Sequence, residues 1–351
     1  MEKKKIGLRC PESWQYELST LIREVYPFAE VGTEGEESYE ISADGARGTL
    51  VRDGVLIREE SAAEDGFRFP GDHGKNRAKQ TLCRLLGARL PWGILTGVRP
   101  TKVAYACLDA GKSPEETERI LREQYLLRAD KAELCVKVAV KEAGLLADHT
   151  GTDVSVYIGI PFCPTRCAYC SFISNDRRAY DKFGDEYVDA LLREIESAGR
   201  LTAGRRSQSF YMGGGTPTPL SAGQLERVLG AAERAFGISM LREATVEAGR
   251  PDTITAEKLR VLRDFGIGRI SVNPQTMHQE TLDRIGRRHS VEDIYRSMEL
   301  VQAMGCFQVN MDLIAGLPGD SPEQFAESVR KLIAFRPENI TVHTLALKKG
   351  S

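Results

Sequence analysis

From residue 154 onward the chain repeats one hydrophobic rhythm. Short runs of β-branched and aliphatic residues alternate with longer stretches whose apolar positions recur every three or four residues. The short runs, at 154–160, 209–212, 243–247, 269–273, 308–314 and 339–347, predict strands. The longer ones, at 183–203, 222–236, 256–265, 291–304 and 322–335, predict helices. Ser221, Thr255, Ser290 and the run Ser321-Pro322-Glu323 stand at helix starts. There a side-chain oxygen can accept from an orphan backbone N–H. Strand–helix alternation at this spacing implies a parallel sheet wrapped by helices. An incomplete (β/α) barrel and an open doubly wound sheet fit the pattern equally, and in either the chemistry belongs at the carboxyl ends of the strands.

Before residue 150 the rhythm differs. A strand is predicted at 5–10, and Gly-punctuated alternating runs at 39–41, 48–51 and 54–58 suggest a small antiparallel sheet. Helices follow at 75–86, 101–110, 113–123 and 131–143. Ser113-Pro114-Glu115-Glu116 is a strong start signal, with Pro at the first helical position and acids in the first turn. The loop 90–102 carries Arg99 and Lys102 among glycines and prolines, which suits an anion site, although a structural turn is the favoured reading. The chain therefore divides into an α+β extension of unknown role, residues 1–150, and an α/β part, residues 151–351. The sixth strand runs almost to the last residue, so no helix follows to cover a parallel edge. We read the C-terminus as truncated.

Composition restricts the partners. The chain has 351 residues, 41% apolar and 28% charged, with a net charge of −2. That balance offers no basic field for nucleic acid and no polybasic patch for a membrane surface. No apolar run is long enough to span a bilayer, and the three lysines at 3–5 read as a solvated tip. With no secretory leader, a reducing, cytoplasmic location is expected, and disulfides are not.

The chemistry concentrates after the first strand of the second part. Cys163, Cys167 and Cys170 form a C-x3-C-x2-C run. Three soft thiolates converging from one loop suit three corners of a cubane iron–sulfur cluster, and the absence of a nearby fourth ligand leaves one iron open. Structural zinc is the competing reading, but it ordinarily uses four ligands at paired spacing. Cys10, Cys83, Cys107, Cys135 and Cys306 are scattered and read as small core residues.

Further polar groups fall at later strand ends. Tyr211-Met212-Gly213-Gly214-Gly215-Thr216-Pro217 lets backbone approach a ligand closely, and without a lysine it is no phosphate loop. Glu247 ends the third strand, where a carboxylate could take two vicinal ribose hydroxyls or simply form a surface ion pair. Ser271-Val272-Asn273-Pro274-Gln275 and Asp312-Leu313-Ile314-Ala315-Gly316-Leu317-Pro318 add more. Asp312 lies in an apolar run and must be paired or hold a ligand. Arg287 sits in a basic turn where its fork could clamp a carboxylate, while Arg284 and Arg288 read as solvated. His343, on the sixth strand, reads as a satisfied core histidine.

Together these strings resemble the radical S-adenosylmethionine (SAM) superfamily. The fuller set, from Tyr157 and Ile160-Pro161-Phe162-Cys163 to Gly286-Arg287-Arg288-His289 and Asp312 to Pro318, is similar to the oxygen-independent coproporphyrinogen III oxidase group. The 90–102 loop resembles the HemZ type within it. The resemblance implies a partial (β/α)6 barrel. It also implies a [4Fe–4S] cluster on Cys163, Cys167 and Cys170, and SAM chelated to the open iron. Tyr157 and Tyr169 would lie near the cluster and adenine, Gly214, Gly215 and Thr216 at the methionine ammonium, and Glu247 at the ribose. Gln275, Arg287, Asp312 and Ala346 would make further cofactor contacts. The implied activity is oxidative decarboxylation of tetrapyrrole propionates through a 5′-deoxyadenosyl radical, with a flavodoxin or ferredoxin as electron donor. One departure weighs against the decarboxylase assignment. The best-established coproporphyrinogen enzymes carry a fourth cysteine where this chain has Phe172, a difference shared with HemZ-type proteins and with the HemW-type haem chaperones, which bind haem without decarboxylating.

Overall fold

The structure, a computed structural model, describes residues 4–62, 74–96, 99–172 and 175–347. Lys3, the Gly97-Val98 pair of the 90–102 loop, and residues 348–351 lie outside the described residues. The chain forms two compact units, Met1–His149 and Thr150–Ser351.

The first unit contains β1 (Lys5–Arg9), α1 (Gln15–Val25), β2 (Glu30–Gly32), β3 (Glu37–Ile41), β4 (Arg47–Arg52) and β5 (Val55–Ser61). Helices α2 (Lys75–Leu86), α3 (Thr101–Asp109), α4 (Pro114–Glu123) and α5 (Ala129–Leu146) follow. Strands β3, β4 and β5 pair antiparallel as expected, but the whole sheet is mixed, in the order β2-β1-β3-β4-β5 with β1 parallel to both neighbours. The cause is α1, which the strand-centred reading missed. Its Leu18, Leu21 and Ile22 are buried, so the helix packs back on the sheet and returns β2 parallel to β1. Lys4 is no solvated tip, since its Nζ lies 2.8 Å from Glu37. In the 90–102 loop, Gly93 adopts φ +56°, and an added Cβ would strike the carbonyl of Tyr125. This part of the loop is a packed turn. Cys83, Cys107 and Cys135 are buried as expected, but Cys306 is exposed and Cys10 only half-buried.

The second unit alternates throughout: β6 (Val154–Ile160), α6 (Arg177–Leu201), β7 (Ser207–Gly214), α7 (Ala222–Phe236), β8 (Glu243–Glu247) and α8 (Ala256–Asp264). It continues with β9 (Arg269–Gln275), α9 (Gln279–Arg284), α10 (Val291–Met304), β10 (Gln308–Ala315), α11 (Pro322–Ala334) and β11 (Asn339–Thr344). All six strands are parallel and stand in sequential order, β6 through β11. A doubly wound sheet reverses direction at its centre, so the sequential order selects an arc of a barrel. Ile160, Met212, Val246, Ile270, Val272 and Met311 carry the sheet side of the core, and all are fully buried. Among the described residues β6 and β11 each pair on one side only.

Local signals set the helix starts. Ser221, Ser290 and Ser321 form capping boxes with Gln224, Asp293 and Gln324, and Thr255 accepts from the Lys258 N–H. Each such cap is worth about 1 kcal/mol. Helix α6 starts six residues earlier than the apolar rhythm indicates, because Asp176 caps it by accepting from the Ala179 N–H at 3.1 Å. Strand β11 stops at Thr344, which places Ala346 in the following loop. No helix among the described residues is long and apolar enough to cross a membrane.

Candidate functional site

Every residue proposed from sequence except Tyr157 lines one cavity of about 450 Å³ at the carboxyl ends of the strands. The loop after β6 brings Cys163, Cys167, Tyr169 and Cys170. The end of β7 brings Gly214, Gly215 and Thr216; Glu247 comes from β8, Gln275 from β9, Arg287 from the turn after α9, Asp312 from β10 and Ala346 from beyond β11.

The cysteine loop is fastened at several points. Cys163 N–H donates to Asn175 O at 2.9 Å, and Ala168 N–H donates to Ile285 O at 3.0 Å. Cys167 is buried, and Cys163 and Cys170 are half-buried. A single tetrahedral ion would need its ligands to converge on one point. Among the described residues no group of three or more His, Cys, Asp or Glu side chains does so. A cubane asks less of the sulfurs, since each thiolate binds its own iron. Three thiolates from one loop are the donor set such a cluster takes.

The glycine turn is held against this loop. Gly215 N–H donates to Ile160 O at 2.7 Å, and Thr216 N–H donates to Phe162 O at 2.8 Å. With those donors spent, the turn offers a ligand carbonyl oxygen, which suits an ammonium group and not a phosphate. A Cβ added at Gly215 would stand 2.6 Å from Phe162 O and 3.1 Å from Cys163 Sγ, so only glycine fits between turn and cysteine. Thr216 Oγ1 lies 3.5 Å from the same sulfur.

Opposite, Glu247 accepts a hydrogen bond from the Tyr211 hydroxyl. Among the described residues it has no ion-pair partner; burial, aided by the nearby Asp312, raises its carboxyl above the usual range. Tyr157 stacks on Tyr211 at 6.0 Å between ring centroids, and so joins the site through that ring rather than at the cavity wall. Asp312 is paired, accepting from Asn310 Nδ2 at 2.7 Å. His343 is not a core histidine. Its side chain is 58% exposed on the open face of the arc, with Nε2 3.9 Å from Asp312.

The deepest part of the cavity is rich in buried groups. Arg287 is buried and donates to Asn273 O, while Arg284 and Arg288 are exposed as expected. Burial pushes the Tyr169 phenol up to about 12, against the opposing pull of Arg287. Gln275 is buried in a left-handed conformation, φ +71°, rare for a residue with a side chain. Among the described residues its Oε1, like Asn273 Oδ1, has no hydrogen-bond partner. Buried acceptors left without donors are costly, so these two await a ligand that donates. Arg250 also lines the cavity, and the sequence reading passed over it. A lone arginine three residues past a strand has no periodicity to mark it.

A cysteine-bearing loop and a glycine turn on a parallel barrel arc define a radical SAM protein. The chain belongs to that superfamily, whose family model matches residues 157–332. Members use a [4Fe–4S] cluster and SAM. Within it the chain groups with the HemN, HemZ and HemW proteins. It is 39% identical over 270 residues to the oxygen-independent coproporphyrinogen-III oxidase-like protein HemZ of Bacillus subtilis, covering 76% of this chain and 54% of that protein. It is 34% identical over 195 residues to the haem chaperone HemW of the same organism, covering 55% of this chain and 51% of the relative. The solved coproporphyrinogen III oxidase HemN of Escherichia coli superposes with a TM-score of 0.52 at 30% identity, over 58% of this chain and 47% of that one. The chain spans about half the length of the curated relatives it matches.

Proposed function

We propose that this chain carries the radical core of an oxidoreductase that decarboxylates propionate side chains of coproporphyrinogen III in haem biosynthesis. The observation that carries the reading is the meeting of three free cysteines, the glycine turn and unpartnered buried acceptors in one cavity at the strand ends. The second unit, beginning at Thr150, contains all of these groups. A flavodoxin or ferredoxin supplies the electron.

In this reading Cys163, Cys167 and Cys170 would hold the cluster, and SAM would bind beside it in the same cavity. When bound, the pair supplies a 5′-deoxyadenosyl radical able to take hydrogen from a substrate carbon. The chain's own work is binding, orientation and exclusion of water. Gly214, Gly215 and Thr216 would accept from the methionine amino N–H through carbonyl oxygen. Glu247, oriented by Tyr211, takes the ribose hydroxyls. Gln275, Arg287, Asp312 and Ala346 complete the cradle, with Tyr169 closing the wall beside the cysteines and Tyr157 buttressing Tyr211.

A second reading, haem transfer without decarboxylation, is favoured by Phe172. Its ring is 70% exposed at the cavity where a fourth cysteine would otherwise stand. The two readings separate in one assay on reconstituted protein, offered coproporphyrinogen III with SAM and reductant, and separately haem. Loss of carbon dioxide with vinyl formation supports the first. Stoichiometric haem binding without turnover would replace it with the second.

A further inference from the structure

Arg250 holds a buried charge whose carboxylate partner is itself only partly buried. Its side chain is 3% exposed, and its nearest carboxylate, Asp252 Oδ1, stands 3.5 Å from Nε and is itself partly open to solvent. Among the described residues that Nε has no hydrogen-bond partner. His289 next to it is wholly buried and stays neutral, held down to about 3 by burial and then by Arg287 and Arg250. Arg287 adds a second buried guanidinium. Asp252 faces both Arg250 and the Nδ1 of His289, at 3.9 Å, so one partly exposed acid serves a buried guanidinium and a buried neutral imidazole.

The remaining contacts of Arg250 all point at the cysteine loop. Its Nη2 donates to Thr165 Oγ1 at 3.0 Å and its Nη1 to Thr165 O at 3.3 Å, midway between Cys163 and Cys167. The same Nη1 lies 3.9 Å from Cys167 Sγ. Thr165 in turn donates to Gly286 O at 3.0 Å, so the arginine fork ties the loop to the turn that carries Arg287. A planar guanidinium suits this double duty, bridging two oxygens while turning an N–H toward a sulfur.

We propose that Arg250 is a positioning residue that clamps the cysteine loop and lends it positive charge, favouring the reduced form of the cluster the loop holds. The inference rests on the assignment of Cys163, Cys167 and Cys170 as cluster ligands. One-electron reduction would add one negative charge to the cluster and its thiolate ligands together, and a fixed cation close to Cys167 would stabilise that charge.

The test is a midpoint potential, read by electron paramagnetic resonance while dithionite reduces the reconstituted chain. Arg250→Gln is expected to move the potential negative, and Arg250→Lys to restore much of the shift. Asp252→Asn, which removes the opposing charge, is expected to move it positive. Potentials that stay put, or that shift the same way in Arg250→Gln and Asp252→Asn, would overturn the electrostatic role. Amide hydrogen exchange on metal-free protein tests the clamp separately. Arg250→Gln should exchange faster over residues 163–170 while strands β7 to β10 keep their protection; unchanged exchange in the loop overturns it. If the wild-type chain forms no four-iron cluster, the ligand assignment fails, and the exchange result alone decides for or against the clamp.

Discussion

The Tyr211 hydroxyl donates to Glu247 Oε1 across neighbouring strands, and this bond holds the carboxylate at the cavity wall. The ladder pairs Tyr211 with Thr245, so Glu247 is its diagonal neighbour on the same sheet face. Behind the carboxylate stands Gly213, where a Cβ would come within 2.9 Å of Glu247 Oε2. One oxygen is thus oriented by a phenol and the other by the lack of a side chain. Tyr211 has its own proton held more tightly than usual, by burial first and then by Glu247.

Tyr211→Phe keeps the ring and its stack on Tyr157 but deletes the donor. A hydrogen bond to a charged group is worth about 1.5–3 kcal/mol, so SAM affinity should fall roughly tenfold or more. Anaerobic equilibrium dialysis reads this directly. Unchanged affinity would mean that Glu247 needs no orienting partner.

Glu247 also sets a pH signature. Its carboxyl is raised in the folded chain, so folding favours the protonated form. That contribution to stability is present below the ordinary carboxylate range and is lost as pH rises through the raised value. Glu247→Gln carries no charge to desolvate. It should match wild type at about pH 4 and grow more stable than wild type towards about pH 8 in urea denaturation. A gap that widens instead at low pH would contradict the assigned sign.

The glycine turn gives a paired test. Gly215→Ala drives a methyl into Phe162 O and Cys163 Sγ, both on the cysteine loop, and should abolish iron incorporation along with lowering the melting temperature. Gly230→Ala, within α7, meets only ordinary contacts at 3.5 Å and beyond. It should stabilise the chain by about 0.5–1 kcal/mol and leave iron content untouched. Thermal melts with iron analysis distinguish the two.

Legibility in the sequence followed the range of the signal. The cysteine run, the glycine turn and the serine caps are local, each read within a few residues; the first two line one cavity and the caps stand at helix starts. Helix α1 was equally local in form, with apolar positions at 18, 21, 22 and 25, but its neighbours read as strands and masked it. The Tyr211–Glu247 bond depends on strand register, and the left-handed Gln275 on backbone geometry; neither leaves a trace in spacing. His343 misled because an apolar strand reads as core, whereas on the outermost strand of an open arc the inner face meets solvent.

The most direct measurement is formation of 5′-deoxyadenosine. The chain is reconstituted anaerobically with iron and sulfide, reduced with dithionite, and given SAM, beside a Cys167→Ala control carried through the same steps. The account predicts product from the wild-type chain and none from the control. A four-iron cluster that forms on the wild-type chain yet yields no 5′-deoxyadenosine, or equal yields from both chains, would contradict it.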